Sequence, residues 1–376
     1  MPNFDVTDHF FLEILTSTCR TKMVMNKVNS SIRCQDNNVS HWEKQSERMY
    51  TYFYLLLFLP GLLLNTIALW VLCRHISKKT KAVIFMINLA IADLAHILSL
   101  PLRIYYYFTH DWPFGNAVCL GCFYLKYLNM YAAIMFLVCI SVQRCVFLLK
   151  PFSARRWRRR YDFLISFVVW VVAGLGCSPF ILMRSSSSIS NVTQDLPMRP
   201  VSPSAALMII TFGELFGFLI PLLCIFYSSF RITGLSLRHK TVKIKRRALK
   251  MVLSCSCLFL LCFGPYHVSF LLYLLVSQDI LTDCGTRFAV ERFHPISLCI
   301  ANMSCCLNPV LYYFLTAEFR KHFTMRTPSF SGTLLSSPLN SPEIHKPVTT
   351  DLNAWKVLCQ TLTEALRLYR TLYRAK

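Results

Sequence analysis

Charge is scarce in this chain: only 15% of its 376 residues are Asp, Glu, Lys or Arg, while 55% are hydrophobic. That leaves too little charge to cover a water-soluble domain of ordinary surface. Acidic residues are the scarcer sign, 18 against 40 basic ones. No phosphate-cradling glycine loop, HExxH pair or set of paired carboxylates is found. The common soluble-enzyme constellations are thereby excluded, and with them any motive for a cofactor or a metal. The first 49 residues contain no contiguous apolar run, so no cleaved signal peptide is expected. Cysteine is absent from residues 180–212, although the chain carries 17 in all.

What the chain has in quantity is long apolar runs. Seven windows, near residues 50–74, 81–107, 116–149, 161–183, 203–232, 246–277 and 290–315, can each cross roughly 30 Å of hydrocarbon. The expected fold is an all-α membrane protein, a seven-transmembrane helix bundle. The net charge of +22 follows this topology. Arg74, Lys78, Lys79 and Lys81 separate windows one and two, and Lys150, Arg155, Arg156, Arg158, Arg159 and Arg160 separate three and four. Arg238, Lys240, Lys243, Lys245, Arg246, Arg247 and Lys250 join five to six, and Arg320 and Lys321 follow seven. Basic loops on one side predict that this side is cytoplasmic and that the N-terminus is extracellular. Nucleic-acid binding competes for a basic chain, but a nucleic-acid footprint has no reason to alternate with spans. Sequons at Asn29, Asn38 and Asn191 fall on the expected outer side, as glycosylation requires. A fourth, at Asn302, lies inside a span and is rejected.

Polar side chains inside the spans carry the functional signal. Asn65, Asn88, Asp93, Arg103, Lys126, Asn129, Arg144, Glu214, His267 and Asn308 are spread over several helices, with Pro101, Pro179, Pro221, Pro265 and Pro309. Asn308-Pro309-Val310-Leu311-Tyr312 interrupts an apolar helix, and lipid cannot satisfy the carbonyl that proline frees. Such a break survives only against other protein or internal water, and it marks a functional site.

These residues, in this order, resemble the rhodopsin-type (class A) G-protein-coupled receptors over about residues 50–325. Asn65, Asn88-Leu89-Ala90-Ile91-Ala92-Asp93-Leu94, Trp112-Pro113-Phe114-Gly115, Cys119, Arg144, Trp170, Pro221, Cys262-Phe263-Gly264-Pro265-Tyr266 and Asn308-Pro309-Val310-Leu311-Tyr312 carry the resemblance. Ser99-Leu100-Pro101-Leu102-Arg103-Ile104-Tyr105-Tyr106-Tyr107 and Cys122-Phe123-Tyr124-Leu125-Lys126-Tyr127-Leu128-Asn129-Met130-Tyr131 are similar to the purinoceptor-like lysophospholipid branch, lysophosphatidylserine receptors above all. Gly213-Glu214-Leu215-Phe216-Gly217-Phe218 fits the same group.

The resemblance implies a plasma-membrane receptor with an outer ligand pocket and an inner switch. The expected pocket is Arg103, Lys126 and Arg184 with Tyr105, Tyr106, Tyr127, Tyr266 and Phe270, an amphiphilic site for an anionic head and an acyl chain. The alternatives are that Arg103 and Arg184 snorkel to headgroups and that Lys126 sits in a structural ion pair. Glu214 could accept a ligand amine, neutralise Lys126 or stay protonated, and His267 is either a ligand contact or a satisfied core histidine. The expected switch is Asp93, Arg144, Phe259, Phe263, Pro265, Asn308, Pro309 and Tyr312. The expected partners are a lysophospholipid, membrane lipids and a heterotrimeric G protein, by family analogy of the Gi or G12/13 class; no nucleic acid is expected.

Four positions depart from the family pattern. Gln143 replaces the acidic residue before Arg144, Ser229 stands at the inner fifth-helix tyrosine position with Tyr227 on another face, and Ala133 lacks the hydroxyl that usually joins the central polar cluster. With no cysteine in residues 180–212, Cys119 cannot make the usual outer-loop bridge. The resemblance implies a Cys34–Cys284 bridge, and Cys19 is a candidate partner for Cys119. The domains expected are an extracellular segment 1–49, the bundle 50–325 closing with a short eighth helix at 318–323, and a cytoplasmic tail 326–376. Within that tail a Ser/Pro-rich stretch precedes a basic amphipathic segment at 354–374, with Cys359 in it. Rival functions are a nucleotide-type purinoceptor, a poorly signalling decoy or scaffold, and a transporter, which would require matched broken halves.

Overall fold

The computed structural model describes residues 38–76, 83–189, 211–238, 243–277 and 283–315, with the backbone alone at some helix ends, Arg184, Cys284 and Tyr312 among them. No strand occurs among the described residues. The helices are α1 Asn38–Val71, α2 Val83–Thr109, α3 Asn116–Leu149, α4 Pro151–Arg156, α5 Arg159–Ile189, α6 Ile220–Arg238, α7 Lys243–Leu258, α8 Gly264–Ser277, α9 Cys284–Asn302 and α10 Ser304–Leu315. Asn29, Cys34, Asn191, the eighth-helix segment and the tail segment 354–374 lie outside the described residues, while Asn38 opens α1.

Among the described residues, six stretches are long and apolar enough to cross a membrane: Arg48–Arg74, Val83–Thr109, Asn116–Leu149, Arg159–Ser178, Thr211–Leu235 and Ala248–Leu272. The seventh expected span, a single helix near 290–315, is instead two helices, α9 and α10, meeting at Met303. There the Met303 N–H is shared between the carbonyls of Cys299 and Ile300, each at 3.1 Å, which tightens the turn. Pro309, one and a half turns on, has no N–H for the carbonyl of Cys305. Asn65 of α1 donates its Nδ2 to that oxygen at 2.7 Å. An asparagine on one span thus satisfies the carbonyl that a proline frees on another.

Prolines 221 and 265 are accommodated differently. Each is the second residue of its helix, α6 or α8, and follows a widened turn, Leu215–Leu219 or Phe259–Phe263. Widening by one residue gives the proline ring room and marks a place where the helix can bend.

The bundle is apolar on its outside, and its polar side chains are buried within an apolar core. Leu59 and Leu63 of α1, Phe163 and Phe167 of α5, and Leu223 and Phe230 of α6 are exposed, whereas Asn65, Asp93, Asn129, Glu214, His267 and Asn308 are buried. A lipid-facing exterior is the arrangement this requires. Gly61 sets the approach of α1, since a Cβ there would lie 2.9 Å from Ile97 Cδ1 and 3.2 Å from Cys306 Sγ.

At the end opposite the basic loops, Trp112 donates its indole N–H to the Gly115 carbonyl at 2.8 Å. Gly115, with φ of 82°, then opens α3 in a conformation that suits glycine. Cys119, in the first turn of α3, is fully buried and disulfide-bonded to a partner outside the described side chains. Cys119 is thus bridged, and, with no cysteine in residues 180–212, not by the usual outer-loop pairing. At the same end Asp283 caps α9, accepting from the Thr286 N–H at 2.8 Å, and this bond holds its carboxyl below the usual carboxylate range.

Candidate functional site

Arg103 projects from α2 and is 1% exposed. Its guanidinium donates to the carbonyl of Cys122 on α3, and its Nε has no hydrogen-bond partner. Tyr54 of α1 lies beside it, and Tyr50, Tyr54 and Tyr107 form a stacked wall with centroids 5.7–6.1 Å apart. Lys126, half-buried on α3, has its Nζ 5.7 Å from the Tyr127 ring centroid. Lys126 also lies within electrostatic reach of Arg103 and borders a small cavity with Asn129, Leu298, Asn302 and Ser304. Among the described residues, neither cation meets a carboxylate.

Glu214 does not neutralise Lys126. It is buried against His267 of α8, whose Nδ1 lies 2.9 Å from Oε1 and 3.0 Å from Oε2. Phe218 stacks on the imidazole at 4.4 Å, with Tyr131 and Tyr266 at its edges. The ring is fully buried, in the manner of a core histidine that ties α8 to the segment preceding α6. Tyr266 stacks in turn on Phe270. Tyr106 packs on Trp112, and Tyr105 is exposed against Phe114.

Farther in, Asn308 Nδ2 donates to Asp93 Oδ2 at 2.9 Å, joining α10 to α2. Trp170 of α5 donates to Asn88 Oδ1 at 2.9 Å, joining α5 to the same helix. Asn65 Oδ1, Asp93 Oδ1, Asn129 Oδ1 and both nitrogens of His96 are buried without a hydrogen-bond partner, which calls for internal water around them. Phe259 stacks on Phe218 at 5.5 Å and meets Phe263 edge-on at 5.9 Å, so the two aromatic residues expected in the switch begin and end the widened turn before Pro265. Arg144 is half-buried, and its Nε has no hydrogen-bond partner. Tyr312 lies on α10, with its side chain outside the described set.

The sequence reading missed several members of these groups. Tyr107 follows Arg103 by four residues and His96 precedes it by seven, so all three share one face of α2, a periodicity that was available. Tyr50 and Tyr54 repeat the spacing on α1. Ser269, whose Oγ lies 2.8 Å from His294 Nδ1, and Asp162, which meets Gln143, left no local signal because their partners are distant in sequence.

A bundle with polar side chains buried in an apolar core, widened before Pro221 and Pro265 and cross-linked from Asn65, Asp93 and Asn308, defines a seven-helix membrane receptor. The description "7 transmembrane receptor (rhodopsin family)" matches residues 64–312, and the chain belongs to that family. It is 46% identical over 317 residues to the Mus musculus protein named "Putative P2Y purinoceptor 10", covering 82% of this chain and 96% of that one. It is 47% identical over 285 residues to Homo sapiens "Probable G-protein coupled receptor 174" (73% and 85% covered). It is 32% identical over 302 residues to Homo sapiens "Lysophosphatidic acid receptor 6" (77% and 88%). The chain is thus a multi-pass membrane protein of the purinoceptor-like and lysophospholipid branch.

Proposed function

We propose that this protein is a plasma-membrane G-protein-coupled receptor for an anionic lysophospholipid, with lysophosphatidylserine the best fit, its N-terminus outside and its basic loops in the cytoplasm. The observation that carries the reading is the pair Arg103 and Lys126, two cations within electrostatic reach, walled by tyrosines and meeting no carboxylate among the described residues. Unpaired charge at membrane depth is costly, and a phosphate head would satisfy both cations at once. The aromatic wall of Tyr50, Tyr54 and Tyr107 offers apolar surface for the rest of the ligand. A relative named for lysophosphatidic acid supports the lipid class.

In this reading the phosphate draws α2 and α3 together across Arg103 and Lys126. The bend at Phe259–Phe263 then lets α7 swing from α6 and open a cytoplasmic cleft beside Arg144, where the G protein binds. The test is a G-protein dissociation assay on cells with measured surface receptor, against lysophospholipids and nucleotides. Lysophosphatidylserine should activate, and Arg103→Ala should weaken the response at least about 10-fold, the size of one charge-assisted hydrogen bond. A response to nucleotides alone would replace the ligand class, and silence to every ligand at normal surface level would favour a decoy or scaffold.

A further inference from the structure

Asp162 has no counterpart in the family signature quoted above, yet it is fully buried at the basic end of the bundle. It lies in the first turn of α5, where the N-terminal end of the helix dipole favours a carboxylate. Two side chains donate to the same oxygen: Gln143 Nε2 of α3 and Trp157 Nε1 of the loop before α5, each 2.7 Å from Asp162 Oδ1. The Trp157 ring meets Phe147 of α3 at 5.6 Å and Tyr161 at 5.7 Å, so the short basic helix α4 is pinned at its C-terminal side. Gln143 immediately precedes Arg144.

We propose that Asp162 is the positioning residue of the cytoplasmic switch, holding the amide of Gln143, and through it the seating of Arg144, while it fixes the Trp157-anchored basic loop against α3. The carboxylate at this end of the bundle thus comes from α5, opposite Gln143, and not from the residue before Arg144 on α3. Gln143 suits this site because its amide supplies a donor to Asp162 Oδ1, which a glutamate would not. A glutamate at 143 would bring a second carboxylate to within about 3 Å in a site closed to water, where two like charges cannot both persist. Restoring the family's acidic residue should therefore injure this protein.

The proposal rests on the receptor reading for its signalling arm, and a thermal arm is independent of it. Gln143→Glu, Asp162→Asn, the double exchange and Asp162→Ala are compared in the full-length receptor. Ligand-free G-protein dissociation is read per surface receptor, and Tm is read on purified protein. Gln143→Glu and Asp162→Ala should each lower Tm by about 4 °C or more and shift ligand-free signalling about threefold or more, the effect of losing one buried hydrogen bond. The double exchange reverses donor and acceptor between positions 143 and 162 but sets the new amide N–H against the Trp157 N–H that shared the same atom, so it should lose less than the sum of the two singles, by about 1 kcal/mol, without regaining the parent values. Additive losses in the double exchange would overturn the proposal, as would changes of Tm with no change of signalling in any variant of a receptor that couples. If the parent itself activates no G protein, the receptor reading fails, and with it the role assigned to Asp162 in signalling; non-additive Tm values would then establish only the Gln143–Asp162 link.

Discussion

Lys126 is the residue where function and stability pull in opposite directions. It is half-buried, lies within reach of a second cation and has no carboxylate among the described residues. Replacing a poorly solvated, uncompensated charge with an apolar side chain of similar length usually stabilises, and partial exposure reduces the gain to about 1 kcal/mol. Lys126→Met should therefore raise the Tm of the ligand-free receptor by a few degrees while weakening the response to an anionic lysophospholipid about 10-fold or more. Thermal unfolding without ligand and a concentration–response curve check the two halves. A fall in ligand-free Tm would mean that Lys126 has a stabilising partner, and would return it to the structural ion-pair reading. Glu214 already shows how such a partner looks: with His267 against both of its oxygens, it is not left to neutralise Lys126.

At the broken seventh span, Asn65 of α1 and Pro309 of α10 are coupled through one atom, the carbonyl oxygen of Cys305. Asn65→Ala removes the donor from the Cys305 carbonyl that Pro309 leaves free, at a cost of about 1–3 kcal/mol. Pro309→Ala supplies a backbone N–H to the same oxygen, so the double variant should lose less than the sum of the two singles, by about 1 kcal/mol. Additive Tm changes across the four proteins would dissociate the pair. This element also shows what the sequence could and could not reveal. Asn308-Pro309 was legible as a break because a missing N–H inside an apolar run has only a few remedies. The remedy itself was not, since Asn65 is 240 residues away from Cys305 in sequence. The division at Met303 was equally hidden, because methionine is a good helix former and neither glycine nor proline stands beside it. Helix existence followed from length and hydropathy, and Arg103 and Lys126 stood out as charge in an apolar setting. Asp162 did not, since an acid at a span boundary reads as solvated until its two donors are seen.

At the scale of the molecule, α7 and α8 are joined by the widened turn Phe259–Phe263 and tied to the fifth span on both sides of it, which in the proposed reading makes them one lever. The outer tie is His267 to Glu214, and the inner tie is Ser256 to Ser229, whose hydroxyl oxygens are 2.7 Å apart. Each serine also lies within hydrogen-bond distance of the carbonyl four residues back, Val252 or Ile225. A hydroxyl has one proton, so one serine donates across while the other donates to its own helix. The departure at Ser229 therefore leaves a modest clasp where the family carries a tyrosine. Swinging α7 away from α6 must break this inner bond and can leave the outer one in place. A buried neutral hydrogen bond contributes about 0.5–1.5 kcal/mol, so removing it should move the resting equilibrium toward the open form about 2- to 10-fold. Ser256→Ala should accordingly raise ligand-free G-protein dissociation by that factor, and Ser229→Ala by the same factor, with no further gain in the double variant. His267→Phe, at the other end of the lever, should instead leave Glu214 buried without its partner, and reduce surface expression and Tm without raising ligand-free activity. Equal basal activity in the parent and both serine variants would show that the resting position is set elsewhere along the lever, with the stacked rings of Phe218 and Phe259 at the bend the first place to look.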